Sequence, residues 1–230
     1  MIKAIVMQFV LALAFAAPAL FAQEMAPDTL LKGVTSEVTD TIKRNRRQQP
    51  VCTAGIADLV ESKILPLFDF AHMTQMALAR NWRLASPEQK KLLVAEFKTL
   101  LVHTYASALS GYDDQVIEFK PLRLSPGDVD TTVKTNMKQV GGEKLTLDYE
   151  MKKTPAGWKV HNIKVAGVSL ITTYRDSFTE IVRERGVDGL IKSLADKNRQ
   201  SGERPRPHMS IREIAILLLS AAQGIMPGGN

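Results

Sequence analysis

Val129-Asp130-Thr131-Thr132-Val133-Lys134-Thr135-Asn136-Met137-Lys138-Gln139-Val140-Gly141-Gly142-Glu143-Lys144-Leu145-Thr146-Leu147-Asp148-Tyr149-Glu150-Met151 is the stretch whose reading decides the fold class. Val129, Thr131, Val133, Thr135 and Met137 alternate with Thr132, Lys134, Asn136 and Lys138. Leu145, Leu147, Tyr149 and Met151 alternate in the same way with Lys144, Thr146, Asp148 and Glu150. A period of two describes a strand with one wet face, and Gly141-Gly142 is a hairpin signal between two such strands. Upstream, Gln115 to Leu124 carries Ile117 and Phe119 on one side and stops at Pro121, which suits an edge or a strand end. Downstream, Thr154-Pro155-Ala156-Gly157 turns the chain into Trp158 to Val165. The expectation is an antiparallel meander of about four strands.

Helical periodicity flanks this sheet on both sides. Leu30, Val34, Val38 and Ile42 recur every fourth residue, with Leu31 beside them, and predict a helix over 28–46 that ends before Gln48-Gln49-Pro50. A second helix is expected near 53–65, with Ile56, Leu59, Val60 and Ile64 on one face and Pro66 at its end. A third begins after Asp69, a plausible cap, and runs to about Asn81. Ser86-Pro87-Glu88-Gln89 is a capping box with Pro at the first helical position. It opens a fourth helix with the stripe Leu93, Phe97, Leu100, Leu101, Tyr105, Ala108, closed by Gly111. After the sheet, 169–185 carries Leu170, Tyr174, Phe178, Ile181 and Val182. Gly186 breaks it, Asp188 caps the next helix, and Leu190, Ile191 and Leu194 dock that helix. Helices, sheet, helices is an α+β layout of one domain over 23–200.

The ends read differently. In Met1 to Ala22, Lys3 precedes the apolar run Phe9 to Ala17 and then small residues, the order of a secretory signal peptide cleaved after Ala19 or Ala22, with an N-terminal anchor helix as the alternative. Residues 201–230 form an extension of unknown role. Its Pro- and Arg-rich start is followed by a short apolar pattern, Ile211 to Met226, too short for an ordinary membrane span.

Composition narrows the function. The single cysteine, Cys52, makes no internal disulfide and reads as a small buried hydrophobe rather than a reactive thiol. With Lys3 removed, 29 basic residues face 24 acidic ones, a net +5 spread along the chain apart from Lys43-Arg44-Asn45-Arg46-Arg47. No nucleic-acid motif accompanies the charge, so weak attraction to anionic membrane surfaces is the better reading. The four histidines, His72, His103, His161 and His208, lack zinc-helix spacing, and no nucleophile elbow, Cys-x-x-Cys or phosphate loop occurs. His103 reads as core, His161 as a sheet-face residue, and Asp113-Asp114 as a turn. The sequence therefore predicts no catalytic residue, metal or cofactor.

A series of motifs then bears comparison with a known family. Val60-Glu61-Ser62-Lys63-Ile64-Leu65-Pro66-Leu67-Phe68-Asp69-Phe70, Ala77-Leu78-Ala79-Arg80-Asn81-Trp82-Arg83 and Ala85-Ser86-Pro87-Glu88-Gln89 come first. Phe97 to Leu101, Tyr105 to Leu109, Gly157-Trp158-Lys159-Val160, Gly167-Val168-Ser169-Leu170, Tyr174-Arg175, Phe178 and Gly189 to Leu194 follow in order. Over roughly residues 24–198 the chain resembles the MlaC family, the toluene-tolerance auxiliary component. The resemblance implies an α+β body of the NTF2-like or cystatin-like cone type, a curved sheet against a helical layer enclosing a deep apolar cavity. It implies a periplasmic, non-enzymatic carrier of a diacyl phospholipid, with the headgroup outside. Its implied partners are an inner-membrane ABC transporter complex and an outer-membrane lipoprotein-porin complex, and its implied role is upkeep of outer-membrane asymmetry. The tail from Ser201 departs from the family pattern.

On that reading the candidate lipid-binding residues are the apolar faces already identified. Val133, Met137, Leu145, Leu147 and Tyr149 offer one sheet face; Leu101, Tyr105, Val168, Leu170, Tyr174 and Phe178 could close over it. The pattern does not separate pocket wall from ordinary core. Nine methionines and 6% aromatic residues suit a pliable lining. Arg80, Arg83 and Arg175 are the candidates for the pocket mouth or for docking. A binder of another apolar ligand, a cavity-bearing enzyme and a solid-cored adaptor are the competing readings.

Overall fold

A computed structural model describes residues 25–48, 58–110, 116–138 and 144–203. The expected signal peptide, Cys52, the expected turns at Asp113-Asp114 and Gly141-Gly142, Gly111, His208 and the apolar pattern near the C-terminus lie outside the described residues.

Helix α1 (Pro27–Gln48) comes first, with Asp28 in its opening turn bonded to Lys32 at 2.7 Å. The expected second helix is irregular in its described part. A π-turn, Val60–Ile64, passes into a 3-10 turn, Leu65–Leu67. Pro66 lacks a backbone N–H and crowds the turn before it, so a regular helix cannot continue here. The chain then touches the sheet: Phe68 bridges Val160, the Asp69 N–H donates to the Val160 carbonyl at 2.9 Å, and Lys159 Nζ donates to the Pro66 carbonyl at 2.6 Å.

Helix α2 (Phe70–Leu78) is capped by Asp69, whose carboxylate accepts from the His72 N–H at 2.9 Å. It stops earlier than expected, at Ala79 with φ +48, and a 3-10 turn, Ala79–Leu84, carries the chain onward. Helix α3 (Pro87–Ser110) opens with the capping box in place. The Gln89 N–H donates to Ser86 Oγ at 3.2 Å, and the Ser86 N–H donates to Gln89 Oε1 at 2.9 Å.

The sheet is an antiparallel meander in the order β1 (Val116–Phe119), β2 (Asp130–Lys138), β3 (Lys144–Thr154), β4 (Gly157–Val165) and β5 (Val168–Ser169). The fifth strand is an addition to the expected four. It is two residues long, and its turn, Ala166-Gly167, has both residues at positive φ, as a tight primed hairpin requires. Val133 pairs with Tyr149, Thr135 with Leu147 and Met137 with Leu145, which puts the alternating apolar sets on one face. A bulge at Glu150/Met151 shifts the β3–β4 register so that Val160 and Ile163, three residues apart, pair with Met151 and Tyr149. The opposite face is wet and charged, with Lys164 against Glu150 at 2.5 Å and Lys152 against Asp130 at 4.0 Å.

Helix α4 (Thr172–Glu203) is two helices joined at Gly186, whose φ of +68 and ψ of −175 break the helical path. Gly189 is required there as well, because a Cβ at that position would lie 2.3 Å from Arg185 Cβ. Asp188 does not act as a cap in the expected way; its carboxylate accepts from Gln89 Nε2 at 2.6 Å and ties α4 to the start of α3. The main core lies between α2, α3, α4 and the sheet. Its centre is Phe97, edge-on to Tyr174 at 5.1 Å and to Phe178 at 5.2 Å.

Candidate functional site

A second region of the interior is hollow. Helix α1 is fastened to the body near both ends of its apolar stripe. Leu31 packs with Val133, Met151, Trp158 and Val160, while Val38 and Ile42 pack with Leu59. Glu37 and Lys63, both exposed, pair at 2.8 Å between α1 and the π-turn. A surface pair of this kind adds only about 0–1 kcal/mol, so apolar packing carries the attachment. Beneath the helix lies a cavity of about 300 Å³, partly open to solvent.

Five elements build its wall. Leu31, Val34, Thr35, Val38 and Thr39 come from α1; Val60, Ile64, Leu65, Leu67 and Phe68 come from the irregular turns and the residue after them. Phe70 and Met73 come from α2, and Leu101, Val102 and Tyr105 from α3. Ile117, Leu147, Tyr149, Ile163 and Val165 form the sheet side, with Leu170 below β5. None of these side chains is charged, and the polar ones are Thr35, Thr39, Tyr105 and Tyr149. The Tyr105 and Tyr174 hydroxyls share a hydrogen bond at 3.4 Å. Burial, helped by the Tyr174 hydroxyl, pushes the Tyr105 phenol above its ordinary range, so it stays neutral.

Of the eleven residues expected from sequence to contact an apolar ligand, Leu101, Tyr105, Leu147, Tyr149 and Leu170 line this cavity. Val133, Met137, Leu145, Val168, Tyr174 and Phe178 do not. Val133 is fully buried against Met151 and Trp158; Met137 and Phe178 lie in the main core. Leu145 and Val168 pack on the rim of that core, and Tyr174 meets Phe97 edge-on and touches the cavity wall through its hydrogen bond to Tyr105. The reason is geometric: the β2 side chains Val133 and Met137 are covered by close-packed neighbours, and the sheet side of the cavity is made by Ile117 of β1 and by residues of β3 and β4. Leu31, Val34, Val38, Val60 and Ile64 are wall residues that the sequence reading placed on apolar faces without assigning them to a ligand; Thr35, Thr39 and the 65–70 segment it placed on no face.

The three arginines are not among the lining residues. Arg80 and Arg83 are exposed on the 3-10 turn after α2, beside Leu84, which is 66% exposed. Arg175 is half-buried and donates from Nη2 to the Met76 carbonyl at 3.1 Å, pinning α4 to α2. At the junction of α2 and β4 the rings of His72 and His161 meet edge-on at 5.1 Å. Desolvation and then the neighbouring His72 hold His161 below its ordinary pKa, against the pull of Glu150 and Asp130. His103 is half-buried in α3, with its Nδ1 unpartnered among the described residues. Among those residues no group of three His, Cys, Asp or Glu side chains could hold a metal ion, and no helix is long and apolar enough to cross a membrane.

An antiparallel meander laid against helices, with an uncharged hollow roofed by one helix, defines a class of α+β proteins built around an apolar cleft. The family described as MlaC protein matches residues 32–196, and the chain belongs to that family. A phospholipid-binding protein from Ralstonia solanacearum, solved in complex with a phospholipid, superposes with a TM-score of 0.69. The two share 35% identity over 77% of this chain and 99% of that one. The toluene tolerance protein ttg2D of Pseudomonas putida is 26% identical over 181 residues, covering 77% of this chain and 83% of that protein. The intermembrane phospholipid transport system binding protein MlaC of Haemophilus influenzae is 23% identical over 185 residues, covering 79% and 85%.

Proposed function

We propose that this protein is an exported, periplasmic, non-enzymatic carrier that shelters the acyl chains of a diacyl phospholipid beneath α1 while the lipid moves between two membranes. The observation that carries the reading is the uncharged cavity under α1 in a chain that is 35% identical to a protein solved with a phospholipid.

The physical need for such a carrier is large. A diacyl lipid has about thirty methylenes, each costing roughly 0.8 kcal/mol in water. The sum, about 24 kcal/mol, holds spontaneous desorption to a rate on the order of 10⁻⁵ per second. A hollow lined by Leu, Val, Ile, Phe and Met side chains removes that penalty without any bond being made or broken. The lining has no charged group to hold a phosphate, so the headgroup remains outside and its identity has little influence on binding.

The finer parts of the reading are that the protein shuttles between an inner-membrane ABC transporter complex and an outer-membrane lipoprotein-porin complex, and that the traffic maintains outer-membrane asymmetry. Arg80, Arg83 and the exposed Leu84 form the surface we assign to docking. Native mass spectrometry of the purified protein, followed by lipid extraction, tests the core of the proposal. Diacyl phospholipid at about one per chain is expected. A protein that carries none, and that takes up none from labelled vesicles, overturns it.

A further inference from the structure

Thr35 and Thr39 stand one helical turn apart on the cavity face of α1. A helical threonine ordinarily returns its hydroxyl to the carbonyl of the preceding turn. Thr41, Thr74 and Thr99 do so here, at 2.8, 2.6 and 3.0 Å. Among the described residues, Thr35 and Thr39 have no hydrogen-bond partner, although both line the hollow. Of the tyrosine hydroxyls in the lining, that of Tyr105 pairs with Tyr174.

Their position on the helix orients them. At roughly 100° per residue, Thr35 and Thr39 fall on the flank opposite Glu37, the residue that faces the π-turn through Lys63. Their flank is that of Asp28 and Lys32, and Lys32 lies over the Phe119 ring of the edge strand β1 at 5.8 Å. Two free hydroxyl donors therefore line the cavity on the β1 side of its roof, next to a charged pair on the outer surface. A neutral O–H in an uncharged wall suits a neutral acceptor. It offers nothing to a hydrocarbon tail and too little to a desolvated phosphate or carboxylate.

We propose that Thr35 and Thr39 receive the ester carbonyls of a glycerolipid, setting how deep its chains descend and sending its headgroup out along the flank that faces β1. The inference rests on the carrier reading and adds the chemical class that the site discriminates, ester-linked over ether-linked chains.

The test loads the purified protein from vesicles holding equal amounts of a diester phosphatidylethanolamine and its diether counterpart with identical chains, and measures the bound ratio by native mass spectrometry. Wild type is expected to favour the diester roughly tenfold, since each neutral hydrogen bond contributes modestly. Thr35→Val/Thr39→Val, which keeps side-chain shape, is expected to bind both lipids in nearly equal amounts while melting as wild type does. Thr41→Val, whose hydroxyl is already bonded to the Glu37 carbonyl, is expected to keep the wild-type ratio. An equal ratio in wild type, or an undiminished preference in the double variant, overturns the assignment while leaving the carrier reading intact. Failure of wild type to load either lipid overturns both.

Discussion

The two halves of the interior are made of the same kinds of side chain and behave oppositely. Around Phe97, the rings of Tyr174 and Phe178 and the side chains of Leu93, Leu100 and Leu190 fill the space between α3, α4 and the sheet. Under α1, an equally apolar set is held apart, because the roof is fastened near Leu31 and near Val38 and Ile42 while the floor falls away between them. Hydrophobic character says that a residue leaves water; it does not say what fills the other side. The main core is close-packed, and the hollow is where, on the carrier reading proposed above, a ligand's chains would complete the packing.

That contrast is sharpest when broken at its centre. Phe97→Ala removes the ring on which Tyr174 and Phe178 pack and is expected to cost about 3–5 kcal/mol in urea denaturation. The next comparison uses one substitution at two sites. Val133→Phe overpacks a filled position and is expected to cost about 1–3 kcal/mol, with lipid uptake per folded molecule retained. Val34→Phe projects into existing space and is expected to change stability by less than about 1 kcal/mol while sharply reducing lipid uptake. Equal stability losses at the two positions would remove the distinction between the halves. At the base of the main core, Ser86→Ala deletes the α3 cap and is expected to cost about 1 kcal/mol with lipid uptake unchanged.

The smallest effect is one of pH. His161 is held neutral by burial and by His72, so its pKa in the folded state lies below the unfolded value near 6.5. The folded state therefore binds fewer protons than the unfolded state as pH falls, and this contribution is fully present above about pH 6.5 and declines below it. Thermal melts at pH 7.5 and 5.5 are expected to show a smaller loss on acidification in His161→Gln than in wild type.

Most of the framework was legible in the sequence because it is written locally. The Asp69 cap, the Ser86/Gln89 capping box, the break at Gly186 and the alternation of β2 and β3 each depend on residues within a few positions of one another. What the sequence did not carry is what happens between elements. The bulge at Glu150/Met151, the short β5, the early end of α2 at Ala79 and the π-turn at Val60–Ile64 answer to packing partners distant in the chain. The cavity wall was half legible for the same reason. Val133 and Tyr149 face each other in register on one sheet face, yet one is sealed in a core and the other lines the hollow. A signal for the roof did exist in the α1 stripe, where Thr35 and Thr39 interrupt an otherwise aliphatic face with hydroxyls one turn apart.

The most direct test of the hollow half is photo-crosslinking with a phospholipid that bears a diazirine at the end of one acyl chain, followed by peptide mass spectrometry. Adducts are expected on the α1 peptide containing Val34 and Val38 and on the α3 peptide containing Leu101 and Val102. Adducts confined to the charged face of the sheet, or an unlabelled α1 in a protein that has taken up the lipid, would contradict the account.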